Sequence, residues 1–473
     1  MGDLLTQHSA ATDERDDEKL IHVLDGYNDL LNQFHSDPTL LFSIATIFLQ
    51  RGWHGLSINL FIHLLDRLEE ADHAPQLWNN LGTAYKGEHI DDKARECWEK
   101  ALSMVDPESG LAAEYHSNLA TLEINNGTPE AGYVHIKEST RIQPENTKSW
   151  WNRSLLELEL CDYEQGFANY EYGIQTGDRM NRWKQIPYYE GQILQGKRVL
   201  VYGEQGVGDE IMFASALGEL VDAVTFQGNV VYECHDRLES LMKRTFPEVD
   251  VYPTRKEKED KTIINPESFD YRLGIGSLFR WFGVKKRKPY LIPDPELLDL
   301  YQEKLRKLGD GLKVGIGYAG GHKKTHAHTR SFKLSTLGPI LDVDDCTFVS
   351  LQYTDEATAK FSNHFLQTGR KVHHWPDAIY RSSDTGFNFD HTVALIAALD
   401  VCILPNTTAV HVCGAVGTDC ISLTPDACAW RYRGEEEHMI MYEDHVLLAR
   451  QHDGKWDMPI GDTTLRLVKK AHG

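Results

Sequence analysis

A two-helix pattern recurs four times in the first 180 residues, and it constrains the fold more than any other feature of the chain. In the clearest unit, residues 75–108, large and small side chains stand at fixed positions on two helices: Trp78, Leu81, Gly82, Tyr85, Ala94, Trp98 and Ala101. Gly82 and Ala94 are small where paired helices must approach closely. The same register can be read from residues 38, 113 and 147, so successive units start 34 to 38 residues apart.

Helix pairs that repeat at about 34 residues are typical of tetratricopeptide repeats (TPRs). The sequence therefore predicts an all-α TPR solenoid over residues 38–185, in which each unit packs on its neighbours. Residues 1–37 are predicted to form an N-terminal tail and a capping helix. An irregular helical bundle is the alternative, and the close match of the second unit disfavours it.

Beyond residue 190 the pattern changes to short apolar strands that alternate with helices. A first series of strands is predicted at residues 197–203, 229–234 and 249–253, and a second at 313–320, 347–353, 400–405 and 420–425. Two consecutive βα series predict two Rossmann-like parallel-sheet lobes with a cleft between them, over residues 190–300 and 301–473. Periodicity alone does not distinguish the two-lobed GT-B layout from other paired Rossmann-like folds.

Composition excludes several classes of function. The net charge of −22 argues against general binding to nucleic acid, which needs a cationic face. No stretch approaches the ~20 apolar residues of a membrane span, and the N-terminus is acidic and polar, unlike a signal peptide. The eight cysteines contain no CxxC pair, so we expect free thiols in a reducing compartment, with the cytoplasm as the expected location.

The loop GEQGVGDEIMFA (203–214) leaves a predicted strand and enters a helix. Gly206 and Gly208 permit tight turns and a close approach of backbone to a ligand. Asp209 has two interpretations: an N-cap, for which aspartate is favoured, or a general base that faces the cleft between the lobes. Local sequence alone favours the N-cap.

Two further loops carry polar groups. The loop 317–332 combines Gly320 with Lys323, Lys324 and Arg330, which suits a diphosphate. Its histidines at 322, 326 and 328 have no acidic or cysteine ligands nearby, so we predict no metal site. In the segment 404–417, Asn406, Thr407 and Thr408 can cap a helix, whereas His411 lies one turn inside it, either as a core residue or as an anion contact.

Five segments follow one another along the chain in an order typical of a known family: GEQGVGDEIMFA, DYRLGIGSL, VGIGYAG…RSF, SLQY and NTTAVHVCGAVG. Together they resemble the heptosyltransferase-like glycosyltransferases of family 9 type, in the bacterial branch with TPRs fused in front. The resemblance implies a GT-B fold. The resemblance implies that Asp209 is the catalytic base and that the donor sugar nucleotide is bound by Gly206, Gly208, Gly320, Arg330, Gln352, Asn406, Thr407, Thr408 and His411. Asn406 replaces the usual aspartate of the family, which removes a carboxylate beside the donor.

The function implied is an inverting, metal-independent glycosyltransferase without a cofactor, which moves a sugar from a nucleotide sugar to a protein or glycan hydroxyl. The TPR region is expected to recruit the acceptor, with Asn79, Asn80, Asn118, Trp151 and Asn152 as candidates for its inner face; oligomerisation is the alternative role. Two other interpretations remain open: a TPR interaction scaffold with a catalytically weakened GT-B domain, and a nucleotide-sugar epimerase.

Overall fold

A computed structural model describes residues 26, 37–68, 73–225, 227–254, 264–320, 330–353, 356–379, 388–434 and 437–473. The chain divides into two compact units, Met1–Ser149 and Trp150–Gly473. Apart from residues 26 and 37, the predicted tail and capping helix (1–37) lie outside the described residues.

The first unit consists of consecutive helix pairs. Its helices are α1 (Pro38–Gln50), α2 (His54–Leu68), α3 (Ala74–Gly87), α4 (Asp91–Ser103), α5 (Gly110–Asn126) and α6 (Pro129–Ile142). The TPR register explains their packing: a Cβ on Gly82 would lie 2.9 Å from the Trp98 indole nitrogen, so only glycine permits this approach of α3 to α4. The Trp98 indole also donates to the carbonyl of Asn79 at 3.1 Å.

Local signals set the ends of these helices. Asp37 caps α1 by accepting from the amides of Thr39 and Leu40, and Ser109 caps α5 by accepting from Ala112. Helix α5 ends at Gly127, whose φ of 77° is left-handed and therefore favours glycine. The predicted helix pairs of residues 38–142 are thus confirmed.

The second unit begins with helical structure and continues as two α/β lobes. Helices α7 (Thr147–Glu159), which starts just before the unit boundary, α8 (Tyr163–Tyr170) and α9 (Tyr172–Thr176) form the fourth predicted repeat. Phe167 of this repeat packs against Phe213, Phe279 and Trp430 at ring-centroid distances of 6.2, 5.6 and 5.4 Å. The repeat that the sequence groups with the TPRs therefore shares its core with the α/β lobes.

The first lobe is built on a four-stranded sheet of order β3-β2-β1-β4. It contains β1 (Arg198–Tyr202), α10 (Val207–Ala214), α11 (Leu217–Ala223), β2 (Asn229–His235), α12 (Glu239–Thr245), β3 (Asp250–Thr254), β4 (Tyr271–Gly274) and α13 (Leu278–Phe282). Each of its strand pairs is parallel, with Val199 of β1 between Val230 and Tyr271.

The second lobe is built on a six-stranded parallel sheet of order β10-β9-β8-β5-β6-β7. It contains α14 (Pro295–Arg306), β5 (Leu312–Ile316), α15 (Gly338–Leu341), β6 (Cys346–Ser350), α16 (Ala357–Thr368), β7 (Val372–His373), α17 (Asp390–Ala397), β8 (Val401–Pro405), α18 (Thr408–Val416), β9 (Cys420–Thr424), β10 (Val446–Arg450) and α19 (Asp457–His472). The predicted pair of parallel-sheet lobes after a helical region is confirmed.

Chain order reverses beside β1 in the first sheet and between β5 and β8 in the second. In open parallel sheets, ligands bind outside the carboxyl ends of the strands at such switch points. The loops that follow β1, β5, β6 and β8 contain the candidate residues that the sequence indicated, so each candidate lies just beyond the carboxyl end of a strand, where a ligand is expected.

Two further expectations concern the whole chain. All eight cysteines are free thiols, as predicted, and six of them, Cys97, Cys234, Cys402, Cys413, Cys420 and Cys428, are buried. No helix within the described ranges is long and apolar enough to cross a membrane.

Candidate functional site

Asp209 lies inside helix α10 and does not cap it. The N-cap is Gly206, and the helix begins at Val207, which makes Asp209 its third residue. The N-cap interpretation of Asp209 is therefore wrong. Since Gly206 has no side chain, the first amides of α10 have no side-chain cap, and such a helix end attracts anions.

The carboxylate of Asp209 is paired with the guanidinium of Arg431. Arg431 belongs to the 3₁₀ turn Trp430–Tyr432 that follows β9. The two side chains are 24% and 17% exposed, so the pair is partly buried but still reaches solvent. Burial lowers the pKa of Arg431, but the charges of Asp209, Tyr432 and Tyr170 and the hydrogen bond to Asp209 together outweigh it, so the net shift of that pKa is upward.

A second helix begins opposite α10. A Cβ on Gly208 would lie 3.1 Å from Thr408 Oγ1 and 3.2 Å from His411 Cδ2, so the first turns of α10 and α18 are in contact. Thr407 is the N-cap of α18 but makes no side-chain capping bond. Each helix N-terminus carries about half a positive charge, and here two of them converge on one point.

Arg330 brings a further cation to this point. Its Nη1 donates to the backbone carbonyl of Asn406 at 3.3 Å. Burial and the charge of Arg431 both lower its pKa, although Tyr432 and Asp209 oppose them. Arg330 and Arg431 are therefore close enough to repel each other, and the charge of Asp209 acts on both of them.

Gln352 supports the loop that follows β5. Its Oε1 accepts from the amides of Tyr318 and Ala319, both at 3.0 Å, and its Nε2 donates to the carbonyl of Ala319 at 3.0 Å. The loop continues to Gly320, where a Cβ would lie 2.1 Å from the methyl of Thr407. Gln352 thus shapes the loop beside α18, and its predicted contact with a donor stays a prediction.

Asn406 is buried at the end of β8, with 1% of its surface exposed. Its Oδ1 accepts from Ser422 Oγ at 2.8 Å and Thr424 Oγ1 at 3.1 Å. Its Nδ2 has no hydrogen-bond partner among the described residues. An aspartate would offer an acceptor at this position, whereas asparagine offers a donor, and a buried donor is costly to leave unpaired.

His411 is held by two tyrosines. Its Nδ1 lies 3.1 Å from the Tyr442 hydroxyl and its Nε2 lies 3.2 Å from the Tyr432 hydroxyl. Burial, with a smaller effect of Arg431, lowers the pKa of His411 to about 3, so the imidazole is neutral near pH 7. In this arrangement His411 fixes Tyr432, and with it the turn that carries Arg431; a direct donor contact stays a prediction.

The loop after β1 is fixed by a buried ion pair that the sequence did not reveal. Arg179 Nη2 lies 2.6 Å from Glu204 Oε1, and the two side chains are 1% and 0% exposed. Glu204 also accepts from the amide of Gly276 at 2.9 Å, and Arg179 donates to Ser277 Oγ at 2.8 Å. Two residues after Glu204 the helix of Asp209 is capped, so this network positions the candidate base.

Glu210, the neighbour of Asp209, faces the opposite way. Its carboxylate accepts from the Tyr232 hydroxyl and the His235 amide, both at 2.7 Å. Burial raises the pKa of Glu210 to about 7 despite these bonds. Since both partners belong to β2, Glu210 serves the interior of the first lobe.

The basic loop after β5 contains the lysines and histidines that the sequence analysis named. Lys323, Lys324 and the histidines at 322, 326 and 328 lie outside the described residues. Within the described ranges, no group of three or more histidine, cysteine, aspartate or glutamate side chains could hold a metal ion.

No family model matches the chain. Among solved structures, it is similar to a family 9 glycosyl transferase from Veillonella parvula, with 11% identity and a TM-score of 0.44 over 59% of this chain and 98% of that one. An O-GlcNAc transferase mutant from Thermobaculum terrenum matches 91% of both chains, with 13% identity and a TM-score of 0.31.

A curated protein is also similar to the chain. The chain is 29% identical over 437 residues to Protein FlbA of Caulobacter vibrioides, an alignment that covers 81% of this chain and 71% of FlbA.

Proposed function

We propose that the second unit is a glycosyltransferase whose donor, a nucleotide sugar, binds where α10 and α18 begin. The observation that carries this proposal is the convergence of two helix N-termini without side-chain caps with two guanidinium groups, those of Arg330 and Arg431. Uncapped amides and guanidinium groups are the donors that a nucleotide phosphate requires.

The chemistry proposed is a single displacement that inverts the anomeric centre. Asp209 removes the proton of an acceptor hydroxyl, whose oxygen attacks the anomeric carbon, and the bond to the nucleotide phosphate breaks. The two guanidinium groups and the first amides of α18 stabilise the charge that develops on the leaving phosphate. These fixed cations supply what a divalent metal would, so we propose that the reaction needs none.

Acceptor recruitment is assigned to the first unit. Stacked helix pairs present an extended surface that suits a protein segment. Asn80 and Asn118 are half-buried there, whereas Asn79 is buried and bonded to Asn118 at 2.8 Å and to Glu114 at 3.1 Å. Trp151, expected on the inner face, instead packs 5.0 Å from Tyr170 in the core of the second unit.

The test is a screen of nucleotide sugars with the full chain in EDTA, first by thermal shift and then by release of the free nucleotide. We expect one donor to raise the melting temperature and to be consumed slowly. Asp222→Asn, which alters an exposed carboxylate of α11, should behave as the wild type. Stabilisation that appears only with added Mg²⁺ would refute the metal-independent mechanism, and stabilisation by no donor would refute the proposal.

A further inference from the structure

The proposed function gives two tasks to groups that are paired with each other. As a base, Asp209 needs a carboxylate that is free to take a proton. As a phosphate ligand, Arg431 needs its donor groups free. In the structure each of these groups is occupied by the other.

We propose that Arg431 is a donor-binding residue that exchanges the Asp209 carboxylate for the phosphate of the nucleotide, so that donor binding itself releases the catalytic base. This inference rests on the proposed function. It adds a residue that the sequence did not single out, and it gives the site an order of events: donor first, acceptor activation second.

The position of Arg431 suits an exchange. Its backbone is held on both sides, because Tyr432 bonds to His411 and Trp430 packs 5.4 Å from Phe167. The guanidinium can therefore change partner without any movement of the turn that carries it. Its Nε is buried and has no hydrogen-bond partner among the described residues, so the present pairing with Asp209 does not use all of its donors.

The neighbours of Arg431 favour a phosphate over the carboxylate. A phosphate offers more oxygens and more charge than one carboxylate, and it can pair bidentately with a guanidinium. Arg330 is near enough for the charge of Arg431 to lower its pKa, and the first turn of α18 has no side-chain cap. A bound phosphate could accept hydrogen bonds from Arg431 and from these first amides at once, which the single carboxylate of Asp209 does not do.

The exchange also explains how Asp209 could act as a base. A carboxylate that is bonded to a guanidinium holds its proton weakly, which makes it a poor base. Once the guanidinium of Arg431 pairs with the phosphate, Asp209 loses its counter-ion and lies beside an anion. Both changes favour uptake of a proton by Asp209. An acceptor hydroxyl would thus be activated only in the presence of donor.

A double-mutant cycle tests the exchange. The affinity of the full chain for UDP, GDP, ADP and CMP is measured by calorimetry in EDTA, and the nucleotide that binds is carried forward. Because Asp209 competes with the nucleotide for Arg431, Asp209→Asn should raise the affinity for that nucleotide by ~3- to 30-fold. Arg431→Met should lower the same affinity by ~10- to 100-fold. In the double variant the effect of Asp209→Asn should vanish.

The controls separate this exchange from its alternatives. Asp222→Asn removes a distant exposed carboxylate and should leave affinity unchanged. Arg431→Lys keeps the charge without the planar fork and should give an intermediate affinity, with a melting temperature that verifies folding. Equal tightening by Asp209→Asn with and without Arg431 would show a general charge effect and overturn the exchange. An unchanged affinity in Arg431→Met would overturn it while leaving the proposed function intact. Failure of every nucleotide to bind the wild type would refute the proposed function, and the exchange with it.

Discussion

Arg179→Met should destabilise the second unit strongly, because it leaves the Glu204 carboxylate buried without its cation. Both side chains are almost fully buried, and after the substitution only the Gly276 amide, at 2.9 Å, would still bond to that carboxylate among the residues that the structure describes. Removing one partner of a buried pair costs about 3–5 kcal/mol, since an uncompensated charge remains. We expect a loss of that size in the free energy of unfolding near neutral pH.

The penalty should depend on pH. Burial already raises the pKa of Glu204, against the effect of Arg179, and without Arg179 that pKa rises further. A folded-state pKa above the unfolded value of about 4.3 gives stability that is present below this value and is lost as pH rises, by up to about 1.4 kcal/mol per pH unit. The difference between variant and wild type should therefore be larger at pH 8 than at pH 5.5.

The assay is urea unfolding followed by tryptophan fluorescence at both pH values. Arg179→Met combined with Glu204→Gln should recover part of the loss, because the buried charge of Glu204 is then removed as well, although Glu171, which also pairs with Arg179 at 3.1 Å, still loses its cation. The matched control is Arg141→Met, which removes an exposed ion pair with Glu108 and should have no measurable effect. A loss below about 1 kcal/mol, or a loss that is equal at both pH values, would refute the reasoning.

Three other predictions follow from the site. Asp209→Asn should reduce the initial rate of sugar transfer by ~10²-fold or more, and an unchanged rate would show that Asp209 is not the base. Gly320→Ala should lower the free energy of unfolding by about 1–3 kcal/mol, because its Cβ would meet Thr407, whereas Gly338→Ala, which meets nothing within 4 Å, should be neutral. His411 has a folded-state pKa of about 3, below its unfolded value, so its contribution to stability is present above about pH 6.5 and is lost as pH falls. The NMR signals of its ring should therefore not titrate between pH 5 and 8. A titration midpoint in that range would contradict the buried, neutral ring.

Much of the fold could be predicted because it depends on local patterns. The helix pairs could be predicted from small residues such as Gly82 and large ones such as Trp98, which recur at one spacing. The strands could be predicted from short apolar runs, because helices cover both faces of a parallel sheet and bury its side chains. The boundary between the two units was harder to predict from the sequence. Residues 150–185 continue the helical register, but their aromatic side chains complete the core of the α/β lobes.

The candidate site was predictable only in part. The glycine loops mark where backbone segments approach, which is how the sequence located Asp209 and Gly320. Arg431 and Arg179 are far from these loops along the chain, and no motif marks them, so only the folded chain brings them to Asp209 and Glu204. One signal was available for Glu204: a carboxylate inside a buried glycine loop needs a cation, although the sequence does not say which one.

Hydrogen exchange with and without a saturating nucleotide sugar tests the central claim most directly. The first amides of α10 and α18 have no side-chain cap, so they should exchange quickly in the free chain and slowly when a phosphate accepts their hydrogens. The account predicts protection in peptides that cover residues 203–214 and 406–416, with no change in those that cover 74–103. Protection confined to other segments, or saturating donor with no protection at either helix N-terminus, would contradict it.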